Sequence, residues 1–325
     1  MVSNKSLRVV YMGTPEFAVE PLRAILEAGF TVCAVVTVPD KPAGRGQKIS
    51  ESAVKQFARE RELPILQPEK LKDDAFVNQL RQLNPDVMVV VAFRMLPEVV
   101  WRIPRLGTFN LHASLLPQYR GAAPINWAVI NGETHTGLTT FLIDEKIDTG
   151  NLIMQKEVEI LPNETAGELH DKLMGLGGKL VVETIRKLAE DNFMPKPQSE
   201  FYQLEEELKP APKIFKETCR IDWSITGAEI HNFIRGLSPY PAAWTEFSTA
   251  DGSEISAKIF RSSFQDAEND SAAPGTIKTN GATFLKVKCA DGYVSILEIQ
   301  LAGKRNLPIG EFLKGFRVTE GLLAL

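Results

Sequence analysis

The chain has 325 residues, 44% hydrophobic and 24% charged, the composition of a globular protein with room for two domains, and its net charge of -4 excludes a global attraction to nucleic acid or an anionic membrane. Its longest purely apolar run, VMVVVAF at 87–93, is far too short to span a bilayer, and the opening MVSNKSLRVVYMG lacks an apolar region followed by a cleavage site. Cys33, Cys219 and Cys289 form no C-x-x-C pair, so the expectation is a cytoplasmic protein with no disulfide framework, no metal, no membrane partner and no obligate protein partner.

Over the first two hundred residues, apolar runs alternate with helical periodicity, the pattern of strands joined by helical crossovers. The expected class is α/β: a Rossmann-like, mostly parallel sheet with helices on both faces. The first strand is predicted over 7–12 and ends in Gly13-Thr14-Pro15, where Thr14 is expected to cap, and Pro15 to open, a helix that Gly29 stops. Gly13 invites a dinucleotide-binding reading, but MGTPEF lacks the second and third glycines of G-x-G-x-x-G, and a turn glycine suffices. Further strands are predicted over 31–38, at a short PILQP segment, over 87–93, whose unbroken Val/Met character implies burial on both faces, and over 107–112. Next come a helix over 124–130, strands over 138–143 and 152–160, and a long helix whose core stripe is Leu169, Leu173, Leu176 and Leu180.

From about Phe193 the prolines of MPKPQSE and LKPAPKIFK deny regular helix and predict an extended linker, with one domain over 1–208 and a second over 209–325. Beyond it, a helix near 227–237 precedes short runs such as AAWTEF, EISAKIF, FLKVKC and YVSILEI. Punctuated by Asp251-Gly252 and Asp291-Gly292, they predict a small OB-like antiparallel β-barrel. Trp223 and Trp244 read as core aromatics.

The chemistry concentrates in NLHASLLPQYRGAAP at 110–124. Asn110 and His112 are two residues apart on a predicted strand, so both point to one face at its carboxyl end, where open α/β sheets bind ligands. Either residue taken alone reads more readily as a hydrogen-bonded structural side chain than as a functional one. The loop that follows, rigid at Leu-Leu-Pro and carrying Arg120-Gly121, suits a pocket wall better than a short turn. Asp148, in a loop between two strands, is placed to return to the same mouth and orient the imidazole; a turn aspartate with Thr149 and Gly150 is the alternative. An Asn, a His and an Asp with no Ser or Cys nucleophile and no metal cluster suggest acyl transfer in which the substrate amine attacks. Asn110 and protonated His112 would stabilise the oxyanion, and Asp148 would orient His112 and help move the proton.

Asn110-x-His112, then Ser114-Leu115-Leu116-Pro117-x-x-Arg120-Gly121-x-x-Pro124 and Asp148-Thr149-Gly150, resemble the folate-dependent formyltransferases. The likeness extends from MGTPEFAV and VTVPDKPAGRG to RIDWS and SPYPAAW. It implies that 10-formyltetrahydrofolate is the co-substrate and that the formyl group passes to the α-amino group of methionine on initiator tRNA. By the same resemblance Asn110, His112 and Asp148 match catalytic positions and Ser114, Leu115, Leu116 and Pro117 the folate-binding run. Phe93, Arg94, Met95 and Leu96 match the wall of the pterin pocket, where this chain has Phe-Arg instead of the commoner Tyr-Gly.

DKPAGRGQK at 40–48 is a glycine-rich loop with Lys41, Arg45 and Lys48, and it reads as either a solvated loop or a phosphate-binding one. The resemblance implies that it enters the acceptor-stem region of the tRNA, with Arg45 helping to select the initiator, and that Lys213 and Lys216 form another basic segment nearby; by composition they are as readily a solvated charge run. Two other readings remain open: a formyltransferase acting on an amino sugar or small ribonucleotide amine, which would share the Asn-His-Asp chemistry, and a non-catalytic RNA-binding protein using its barrel.

Overall fold

In a computed structural model, which describes residues 7–43, 48–249, 252–266, 270–318 and 321–325, the chain divides into two compact units. The first runs through Pro124 and includes His135–Glu159 and His170–Pro210; the second comprises Ile125–Thr134, Ile160–Leu169 and Ala211–Leu325.

In the first unit, β1 (Arg8–Gly13) leads through a short 3-10 turn into α1 (Val19–Glu27) and β2 (Thr31–Val36). β3 (Lys41–Ala43) and β4 (Lys48–Ser50) pair as a separate antiparallel hairpin before α2 (Ala53–Glu60). Then follow β5 (Ile65–Leu66), α3 (Asp74–Gln82), β6 (Val87–Val91), α4 (Glu98–Trp101) and β7 (Thr108–His112). In chain order α5 (Pro124–Ile130), nearly all of which belongs to the second unit, precedes β8 (His135–Leu142), β9 (Leu152–Glu159) and α6 (Ala166–Leu188), whose first turn belongs to the second unit as well. The sheet order is β5-β2-β1-β6-β7-β8-β9, parallel as far as β7 and antiparallel for the last two strands.

Every residue of β6 is buried because both faces of the sheet are covered, as its unbroken apolar run requires. On one face Val10, Met12, Met88 and Val90 pack with Phe76, Val77 and Leu80 of α3 and Val100 of α4. On the other side, Thr140 of β8 and Thr184 of α6 hydrogen-bond at 2.8 Å. Burying each such aliphatic side chain stabilises the fold by roughly 1.5–3 kcal/mol.

Two local expectations fail. Thr14 caps nothing: the turn at Glu16–Ala18 is closed by Ala18 N donating to the Pro15 carbonyl at 3.0 Å, so no hydroxyl is needed, and the Thr14 Oγ1 is buried without a partner. The segment read as a loop at 40–48 is, in its described parts, two paired strands, with Pro42 opposite Ile49. In the α6 stripe Leu169, Leu173 and Leu180 are buried and Leu176 is half-buried.

In the second unit, α7 (Gly227–Leu237) starts at a capping box, with Thr226 and Glu229 satisfying each other's backbone N–H groups. β10 (Ala243–Ser248), β11 (Glu254–Asp266), β12 (Ile277–Thr279), β13 (Leu285–Lys288), β14 (Gly292–Leu301), β15 (Leu307–Pro308), α8 (Ile309–Gly315) and β16 (Leu323–Ala324) follow. The sheet order is β12-β13-β14-β11-β10-β16, and a bridge from Thr276 to Leu323 brings its two ends together into a nearly closed barrel. Its core gathers Ile230 and Ile234 of α7, Phe247, Ile259, Val287, Val294 and Phe312, together with Trp223, whose Nε1 donates to Thr245 Oγ1 at 2.9 Å.

Candidate active site

β7 ends at the mouth of the first unit's sheet, and its period-two alternation puts Asn110 and His112 on the face they share with Val90. His112 is buried, and its Nε2 lies 2.8 Å from the Tyr119 carbonyl; a carbonyl only accepts, so Nε2 carries a proton. That leaves Nδ1 facing the Asp148 carboxylate, 3.8 Å from Oδ2, too long for a hydrogen bond and short enough to stabilise an imidazolium. Asn110 is half-buried, and its side-chain amide makes no hydrogen bond among the described residues.

The loop after β7 is held from below. Thr139 of β8 donates its hydroxyl to the Ser114 carbonyl at 2.6 Å and accepts from Leu116 N at 3.1 Å, while Gln155 donates to the Leu116 carbonyl at 2.7 Å. The Ser114 hydroxyl is spent on the Gln118 carbonyl at 2.7 Å. These bonds fix the backbone of residues 114–117, with Leu116 and Pro117 buried and Leu115 half-buried.

Asp148 is held just as firmly. It sits at φ +56 in the loop between β8 and β9, and its Oδ2 accepts from Gly121 N at 2.9 Å. Asp144 stiffens the loop, accepting from Lys146 N at 3.0 Å and from the Thr149 hydroxyl at 2.8 Å. A Cβ on Gly150 would lie 1.7 Å from the Leu142 carbonyl oxygen, so only glycine lets the loop close there. From a distant segment Gln198, 3% exposed, donates to the carbonyls of Asp148 and Gly150, both at 2.9 Å, and accepts from the Arg120 guanidinium at 2.7 Å.

Gln198 is a residue of this site that the sequence reading missed; Arg120, read from the sequence only as part of a pocket-wall loop, is its partner. The proline-rich stretch holds no α-helix, but 3-10 turns at Gln198–Phe201, Glu205–Glu207 and Lys216–Cys219 break the extended run that was expected, and the stretch is also a brace. Lys196 pairs with Leu152 through two hydrogen bonds of 2.7 and 2.9 Å, and Lys209 bonds to Tyr119 N and Gln118 Oε1 at 2.7 and 2.8 Å. The available signal was an amide directly after the Pro-Lys-Pro of residues 195–197.

Of the residues matched to a pterin wall, Leu96 is buried, Phe93 and Arg94 are half-buried, and Met95 is 66% exposed. The Arg94 guanidinium donates to the Pro68 and Glu69 carbonyls at 2.8 and 3.0 Å, and its Nε is buried without a partner. Lys41 is exposed in β3; the Lys48 backbone lies in β4, and Arg45 falls outside the described residues. Asp40, at the root of this hairpin, pairs with Lys55 and accepts from Gln67, which holds its carboxyl below the usual range. Lys213 and Lys216 are exposed; the Lys213 ammonium lies 5.3 Å from the Phe215 ring centroid, and the Lys216 carbonyl accepts from Trp244 Nε1 at 2.8 Å. Among the described residues no group of three or more His, Cys, Asp or Glu is placed to hold a metal ion, and no helix is long and apolar enough to cross a membrane.

Sheet, mouth and barrel together set the class: the family described as Formyl transferase matches residues 7–185, and its C-terminal domain matches residues 213–317. The methionyl-tRNA formyltransferase of Bacteroides thetaiotaomicron is 56% identical over 98% of this chain and 99% of its own, and that of Flavobacterium johnsoniae 48% identical over 97% and 98%. The chain belongs to the methionyl-tRNA formyltransferase family.

Among solved structures, the N-formyltransferase from Helicobacter canadensis, in complex with folinic acid and dTDP-3-aminofucose, matches with a TM-score of 0.64 at 21% identity, over 89% of this chain and 98% of that one. HypX from Aquifex aeolicus, in complex with tetrahydrofolic acid, matches with a TM-score of 0.61 at 18% identity, over 98% of this chain and 49% of that one. At such identities the likeness is one of fold.

Proposed function

We propose that the chain transfers the formyl group of 10-formyltetrahydrofolate to the α-amino group of methionine on initiator tRNA, giving formylmethionyl-tRNA for translation initiation in the cytoplasm. The observation that carries this reading is the buried His112 set 3.8 Å from Asp148, beside an uncommitted Asn110, in a chain matched almost end to end by methionyl-tRNA formyltransferases.

Two unspent donors fit a reduced folate at this mouth: the Asn110 amide and the buried Arg94 Nε, where a formyl oxygen and a hydrogen-bonding ring would each find a partner. Phe93, Arg94, Met95 and Leu96 would wall the pterin, with Ser114, Leu115, Leu116 and Pro117 across from them. The folate supplies a formyl group bonded to N10. Asn110 donates its amide N–H to the formyl oxygen as the neutral amine adds to the carbon, and the Nδ1–H of protonated His112 donates alongside it. Asp148 keeps the imidazolium in place and helps carry the proton lost by the amine to N10 as the C–N10 bond breaks. Positioned proton transfer of this kind contributes about a hundredfold to ten-thousandfold. Lys41 and Lys48, with Arg45, Lys213 and Lys216, would hold the tRNA through its phosphates, and Arg45 would favour the initiator.

The test offers the purified protein a 10-formyl folate with Met-tRNA, and separately with amino-sugar nucleotides. Formylmethionyl-tRNA is the expected product. Formylation of the sugar with Met-tRNA untouched would overturn the reading in favour of a sugar formyltransferase, and tRNA binding without transfer would leave a binding protein.

A further inference from the structure

Arg94 is committed to a loop 25 residues away. Its Nη1 and Nη2 donate to two successive carbonyls, Glu69 at 3.0 Å and Pro68 at 2.8 Å, while the guanidinium carbon stands 5.3 Å from the Phe93 ring centroid. The residue before that pair, Gln67, reaches onward: its Nε2 donates to the Val38 carbonyl and to Asp40 Oδ1, both at 2.9 Å. Asp40 immediately precedes β3. It also pairs with Lys55 of α2, which lies 3.3 Å from Glu51 at the far end of the same hairpin, and Glu51 is gripped by Arg59 at 2.7 Å. Hydrogen bonds and ion pairs, linked through the backbone of residues 67–69, therefore join the loop after β6 to both ends of the β3–β4 hairpin.

We infer that Arg94 is a positioning residue that sets the β3–β4 hairpin relative to the folate-pocket wall, so that folate binding and Met-tRNA binding are coupled through residues 67–69. The inference rests on the folate and tRNA reading proposed above. A planar fork is needed for two successive carbonyls, which an ammonium satisfies only in part. The coupling is reciprocal by linkage: if bound folate tightens tRNA binding, bound tRNA tightens folate binding by the same factor.

The experiment uses the full chain as wild type, Arg94→Met, Arg94→Lys, Gln67→Leu and the Met/Leu double variant. It measures the Kd for Met-tRNA with and without saturating 5-formyltetrahydrofolate, and hydrogen exchange over residues 38–43 and 48–52. Wild type should bind Met-tRNA about fivefold more tightly with the folate present, and Arg94→Met and Gln67→Leu should each remove that gain. The double variant should be no worse than either single one, because both cut the same connection. Exchange at the hairpin root should accelerate in both, with Arg94→Lys in between. Met-tRNA affinity that ignores folate in wild type, or strictly additive losses in the double variant, would overturn the relay. Because Gln67 lies outside the pocket wall, its variant separates loss of coupling from local damage in Arg94→Met. A wild-type chain that bound neither ligand would sink the proposed function as well; one that formylates Met-tRNA while Arg94→Met alters folate affinity alone sinks the relay only.

Discussion

His112 and His231 keep similar local company and stand in opposite electrostatic settings. His112 is held by a carbonyl and faces the Asp148 carboxylate at 3.8 Å. His231, on α7, lies 3.1 Å from the Ser262 hydroxyl, bonds to the Pro162 backbone, and has the Arg235 guanidinium nearby. Burial, reinforced by that cation, pushes the His231 pKa below its ordinary value. Arg235 is itself tied to the Glu164 carbonyl at 3.0 Å and to Asn232 Oδ1 at 2.8 Å. A buried histidine is therefore not by itself a site. A neighbouring carboxylate and an unspent donor such as Asn110 set the mouth of the first sheet apart, whereas the groups around His231 are bonded to one another.

The most direct way to break that comparison is to mutate both sides of it. His112→Ala, Asp148→Asn and Asn110→Ala should each lower kcat by at least about a hundredfold with the fold intact, since each removes a group to which the proposed mechanism gives oxyanion or proton-transfer work. His231→Gln should leave kcat at neutral pH within about twofold, the usual reach of a substitution away from the chemistry. Near wild-type turnover in any of the first three, at saturating substrates, would remove that residue from the mechanism.

Next in size is Gly150→Ala. The new Cβ would lie 1.7 Å from the Leu142 oxygen, so the loop must move and take Asp148 with it. Thermal unfolding should show a loss of about 2–4 kcal/mol, with a kcat loss larger than unfolding alone explains. Gln198→Leu should be milder: it strips the donors from the Asp148 and Gly150 carbonyls, costing about 1–3 kcal/mol in urea unfolding, with a kcat drop of about tenfold. If Gln198→Leu changed stability and left kcat untouched, the brace would serve the fold and not the site.

How much of this was legible in the sequence depended on how local the determinants are. The strands predicted over 7–12, 87–93 and 107–112, and the shared face of Asn110 and His112, follow from apolar runs and period-two alternation, and they match β1, β6 and β7 to within two residues. The paired strands at 41–43 and 48–50 were missed because each is only three residues long, too short for a period-two alternation to register, and the proline in the first argues against a strand. Gln198 was missed because its partners lie 48 and 50 residues away, where no periodicity reaches. Thr14 was misassigned because a backbone carbonyl took the work its hydroxyl was expected to do.

The smallest effect concerns His231 and pH. In the unfolded chain this imidazole titrates near an ordinary value of about 6.5, and in the folded chain burial and Arg235 place it lower. Between the two values the unfolded chain binds more protons than the folded one, so stability rises with pH across that window. His231 therefore costs the fold nothing above about pH 6.5, and stability is lost as pH falls from there toward the folded value. Glutamine does not titrate, so His231→Gln should flatten this part of the profile. The measurement is the urea midpoint of both proteins at about pH 7.5 and 5.5, spanning the ordinary histidine range. Wild type should lose more between those points than the variant. An equal loss would mean that Arg235 and burial leave the imidazole free to protonate in the folded chain, and the contrast with His112 would then rest on Asp148 alone.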